Sequence, residues 1–60
     1  MFDVEMFDWD GNKVGTATVD ILGYAVEISR IAVKAHIIDC KTGEILAEYF
    51  DGRCEYNIFA

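Results

Sequence analysis

Four glycine-bearing turn signals, at Asp10-Gly11, Leu22-Gly23, Thr42-Gly43 and Asp51-Gly52, cut this 60-residue chain into short segments, each long enough for one strand. No proline interrupts the stretches between them. In the first stretch Phe2, Val4 and Met6 alternate with Asp3, Glu5, Phe7 and Trp9, the period of two that a half-buried strand requires. With Asp10-Gly11 as a two-residue hairpin loop, Trp9 faces Asn12, Phe7 faces Val14, Glu5 faces Thr16 and Asp3 faces Thr18. Phe2, Val4, Met6, Ala17 and Val19 then share the inner face. Taking Leu22-Gly23 as a second turn sets Val19 against Val26 and Ala17 against Ile28, which gives the same inner face again.

Residues 24–39 hold the longest apolar run. Tyr24, Val26 and Ile28 alternate on one face, and a second set, Ile31, Val33, Ala35 and Ile37, follows out of phase. A single long strand accommodates the phase change with a bulge at Ser29-Arg30. A helix near 24–36 is the competing reading, because Ala25, Ile28, Ala32 and Ala35 also fall at spacings of three and four. The β-branched residues and the lack of a capping side chain before Tyr24 favour the strand.

Asp39-Cys40-Lys41-Thr42-Gly43-Glu44 reads as a hairpin in which Asp39 accepts backbone N–H groups, Thr42 bonds back to it and Gly43 takes a left-handed conformation. A two-residue loop at Asp51-Gly52 would set Glu48 opposite Glu55, so a three-residue loop is expected there. Leu46, Cys54, Tyr56 and Ile58 then join the face of Val33, Ala35 and Ile37. The expectation is one domain over residues 1–60, an all-β five-stranded antiparallel meander with a strongly bent sheet, akin to an SH3-like or OB-like half-barrel. Its alternative is ββαββ. Strands one (2–9) and five (54–59) would form the edges, with few charges to block pairing.

Composition narrows the functional classes. Eleven acidic against five basic side chains give a net charge of −6, which argues against phosphate-backbone binding. The hydrophobic fraction is 53%, high for a domain this small, so some apolar surface is expected to be shared with a partner or a second copy. The chain opens with acids where a secretory signal carries Lys or Arg, and no apolar run approaches spanning length. A cytoplasmic protein with Cys40 and Cys54 as free thiols is expected, without a membrane.

Residues that carry chemistry are few. Asp8-Trp9-Asp10-Gly11-Asn12 begins like a calcium loop, but the sixth position is not glycine and the twelfth is Val19. His36, Cys40 and Cys54 fall short of a four-ligand zinc set, so no metal or cofactor is assigned. No acid, base and nucleophile converge, so no catalytic residue is assigned either. The most informative residues are Phe7, Trp9 and Val14, which the hairpin register puts together opposite the core face, beside Asp3, Glu5, Thr16 and Thr18, while Asp3, Glu5, Asp8 and Asp10 make the candidate acidic surface. These nominate a non-enzymatic protein-interaction module or inhibitor. By analogy with mobile-element inhibitors, its carboxylates would imitate nucleic-acid phosphates. The rivals are a structural homo-oligomer subunit and a nucleic-acid-binding half-barrel with Phe7, Trp9 and Tyr49 as stacking platforms and Arg30 and Lys34 for phosphates.

Overall fold

The computed structural model describes residues 1–59. Its five strands are β1 (Phe2–Phe7), β2 (Lys13–Val19), β3 (Lys34–Asp39), β4 (Ile45–Phe50) and β5 (Arg53–Asn57), and one helix, α1 (Leu22–Ile31), lies between β2 and β3. All neighbouring pairs are antiparallel, in a single open sheet of order β2-β1-β3-β4-β5. No helix among the described residues is long and apolar enough to cross a membrane.

The first half of the expected long strand is therefore helix. Topology supplies the reason: β2 and β3 both run antiparallel to β1 and flank it, so they are parallel to each other. Joining parallel strands needs a crossover of a dozen or more residues, usually helical, and a tight turn at Leu22-Gly23 cannot provide it. Locally α1 has little support: Ile21 precedes it without a side-chain cap, and the sequence is rich in β-branched residues. Packing decides instead, through Leu22, Ala25, Val26, Ser29 and Ala32 at helical spacing against the sheet. The phase change near Ser29-Arg30 marks the end of the helix, not a bulge, and the strand proper begins at Lys34. A consequence is that β1 lies inside the sheet, between β2 and β3, and β2 takes its place at the edge.

The core lies between α1 and one sheet face. Val4, Ala35, Ile37, Leu46, Ala47 and Tyr49 are buried there with Ala25 of the helix. Phe2, Met6 and Val19 pack against them half-buried, as the alternation in the first two strands requires. Small side chains on both surfaces, Ala25 and Ser29 on the helix and Ala35 and Ala47 on the sheet, allow close approach. The buried Ser29 hydroxyl donates to the Ala25 carbonyl at 2.7 Å, so it enters the core satisfied.

Three bulges adjust the register. Glu5, Met6 and their partners pair as the hairpin predicts up to Gly15, then Val14 is left over and Phe7 meets Lys13. Residues 8–12 form the loop, wider than two residues and closed by Asp8 N–H donating to the Asn12 carbonyl at 2.9 Å. In β4, Leu46 is the extra residue opposite Ile37, which lets adjacent Leu46 and Ala47 both be buried. The β4–β5 loop is the two-residue form after all, with Phe50 opposite Arg53. Glu48 still avoids Glu55, because Glu55 is the bulged residue and Tyr56 takes its place opposite Glu48. That shift moves Tyr56 off the core face.

The β4–β5 turn has positive φ at both positions, 51° at Asp51 and 79° at Gly52, the mirror-image turn whose twist suits a hairpin. A Cβ on Gly52 would meet only the Arg30 carbonyl at an ordinary 3.6 Å, so substitution is opposed by backbone conformation alone. Gly52→Ala is expected to cost about 1–2 kcal/mol and to lower Tm by about 4–8 °C per kcal/mol, read by thermal circular dichroism. At the β3–β4 turn Asp39 Oδ1 accepts the Lys41 N–H as expected. Thr42, however, bonds forward, its hydroxyl oxygen accepting the Glu44 N–H at 3.1 Å.

Candidate functional site

A single helix can cover only one side of the sheet, so the other side is open. Cross-strand partners point to the same side, and the register therefore gives the composition of the open face directly. One row runs across all five strands as Lys13, Phe7, Lys34, Phe50 and Arg53. Cations alternate with aromatic rings along it, over about 19 Å at a strand spacing of about 4.8 Å. The next row is Thr16, Glu5, His36, Glu48 and Tyr56, and a third holds Thr18, Asp3, Ile38 and Ile45.

The rings are arranged in contact. Phe7 lies 4.8 Å from the His36 ring, tilted by 52°, and the Lys34 ammonium sits 6.0 Å from the Phe7 centroid. Trp9, carried just past β1 by the loop, meets Phe50 edge-on at 5.7 Å yet is 67% exposed. Phe7 and Trp9 thus stand on one surface as expected. Val14 is exposed on β2, where it is the unpaired residue of the bulge opposite Met6-Phe7.

The four acids do not form one acidic stripe. Asp3 accepts the Thr18 hydroxyl at 2.6 Å, and Glu5 pairs with the Lys13 ammonium at 2.9 Å. Asp8 Oδ1 accepts the N–H groups of Asp10 and Asn12 at 3.0 and 2.9 Å, so this carboxylate shapes the turn. Asp10 is exposed in the same loop. Three of the five basic residues share the open face with Asp3, Glu5 and Glu48, so these six balance, and the net −6 comes from the turns, the helix, Asp39 at the end of β3 and Glu55.

The Thr18 hydroxyl, and next to it the Cys40 thiol, hold the Asp3 carboxyl below its ordinary value. Desolvation and then the neighbouring Asp3 carboxylate push the Cys40 thiol up. Because the folded-state value of Asp3 is depressed, its contribution to stability is fully present above the unfolded value of about 3.9 and is lost as pH falls through the lower folded value. Thr18→Val is expected to return the Asp3 value toward the ordinary one and to flatten acid destabilisation below about pH 4. Carboxyl-carbon NMR titration and urea melts at each pH read both effects.

The remaining candidates are dispersed. His36 is on the open face, Cys40 in the β3–β4 turn, and Cys54 opposite Tyr49 on the helix side. Tyr49 is buried on that side, where burial and then the Cys54 thiol raise its hydroxyl's pKa, so it offers no stacking surface to the open face. Arg30 is on the helix, also away from that face. Among the described residues no three His, Cys, Asp or Glu side chains are grouped as a metal site, and no enclosed pocket opens. Sequence reasoning missed His36 and Phe50 as the ring partners of Phe7 and Trp9, and Arg53 and Tyr56 as residues of the same face. Alternation within 34–38 and 45–50 carried the signal, but the β1–β3 pairing that joins them is non-local.

No known protein family matches this sequence, and comparison with curated proteins and with solved structures gives no match either.

Proposed function

We propose that this chain is a non-enzymatic protein-interaction module that lays the open face of its sheet on a partner protein and acts, as an inhibitor does, by occupying it. The observation that carries this reading is the uncovered constellation of Trp9 on Phe50, Phe7 on His36, and Lys34 and Arg53 in the same row. Aromatic and arginine side chains dominate the energetics of protein interfaces, and a face carrying both charge signs suits a protein surface better than a polyanion. The phosphate-imitating form of the proposal has less support, since Asp3, Glu5 and Asp8 are already engaged within the chain. The test is affinity capture with wild type and with Lys34→Glu/Arg53→Glu. A specific partner held by wild type and lost by the double variant supports the module, and equal capture by both overturns it.

A second reading has its own observation. The alternating Lys13, Phe7, Lys34, Phe50, Arg53 row offers rings for base stacking between cations for phosphates, the arrangement by which open sheets hold single strands. Titrating Trp9 fluorescence with a short oligothymidylate at low salt tests it. Quenching that weakens steeply with added salt would favour nucleic acid over protein.

A further inference from the structure

We infer that the exposed edge of β2 pairs with the β2 edge of a second copy of this chain, extending the two sheets into one across a two-fold axis at Ala17. This goes beyond the open-face reading and rests on the backbone edge of β2, not on the aromatic and basic side chains that carry that reading.

The two edges of the sheet are unlike. β5 is five residues long, carries Arg53 and Glu55, and is bulged at Glu55, all devices that discourage strand addition. β2 is seven residues long, and its only charge, Lys13, and its only bulge, Val14, are at one end. From Gly15 to Val19 the edge is regular, uncharged and free of proline, and it presents backbone N–H and C=O groups that only another extended strand can satisfy in series.

The sequence of that stretch selects a second copy as the occupant. Two antiparallel strands related by a two-fold axis normal to the sheet keep both helices on the same side, and each residue meets one of the same facing. The bulge at Val14 breaks the facing, so the usable segment is Gly15–Val19, whose midpoint is Ala17. About that midpoint Thr16 meets the mate's Thr18 on the open face, Gly15 meets Val19 on the helix side, and Ala17 meets itself. Threonine pairs are favourable cross-strand neighbours, small residues allow close approach, and no like charges are opposed. Beyond the segment Lys13 falls opposite the mate's Ile21, which is 50% exposed just past the end of β2. Because both copies carry −6, added salt is expected to strengthen this association, the reverse of its effect on nucleic-acid binding.

Sedimentation equilibrium across a concentration series tests the inference, with hydrogen exchange on the same samples. The wild-type mass should rise from 6.8 kDa toward twice that, with amides in 15–19 gaining protection as it does. Ala17→Lys places two ammonium groups face to face at the axis and should raise the half-dimerisation concentration more than about tenfold. The lysine stem can leave along the edge toward water, and an unchanged far-UV spectrum checks that the fold survives. Should that variant fail to fold, Ala17→Cys in a Cys40→Ser/Cys54→Ser background gives the answer by forming a covalent dimer on oxidation. A wild type that stays monomeric, or a dimer whose 15–19 amides remain unprotected, overturns the inference.

Discussion

Ile37→Ala is expected to leave a large fraction of the molecules unfolded at 25 °C. Ile37 is fully buried, paired with Val4 on one side and Ala47 on the other. The side chain opposite on β4 is already small, and α1 is held down by the same cluster, so the surroundings have little with which to refill the space. An isoleucine-to-alanine change at such a site costs about 2–5 kcal/mol, whereas about 3–9 kcal/mol is the whole stability of a domain of this length. Urea unfolding followed by circular dichroism reads the loss. Ile37→Val, at about 0.5–1.5 kcal/mol, should stay folded and supplies the graded control. An Ile37→Ala protein with a midpoint close to wild type would contradict a core centred on Ile37 between α1 and the sheet.

Trp9→Ala should do the opposite, leaving stability nearly intact while removing much of the binding. The ring is 67% exposed and leans on the sheet only through its edge-on contact with Phe50, so its deletion should cost under about 1 kcal/mol of stability. As an interface anchor it would be worth about 2 kcal/mol or more, a loss of about thirtyfold in affinity for the captured partner. Calorimetric titration against that partner, paired with a thermal melt, separates the two quantities. Equal affinity in a stable variant would remove Trp9 from the interface.

Local pattern was a good guide wherever local pairing decides the structure. The β1–β2 register from Asp3 to Glu5, the inner alternation of Phe2, Val4 and Met6, and the left-handed glycine at Gly43 all follow from residues close together in the chain. Residues 22–31 were harder because their β-branched composition speaks for a strand, while the demand for a helix comes from where β3 must dock. The candidate site was half legible for the same reason. Phe7 and Trp9 could be grouped from one hairpin, but His36, Phe50 and Arg53 reach them only through the β1–β3 and β3–β4 pairings. Glu55 shows a local conflict resolved non-obviously, since a bulge relieves the like-charge clash without lengthening the turn.

In the proposed function the sheet face away from α1 is the surface on which a partner binds. The most direct measurement is a residue-resolved NMR footprint of the labelled protein with the partner it captures. The largest changes are expected at Phe7, Trp9, Lys34, His36, Phe50 and Arg53. Changes concentrated instead at Ile21, Tyr24 and Ile31, the exposed apolar residues in and beside α1, with the open face undisturbed, would contradict it.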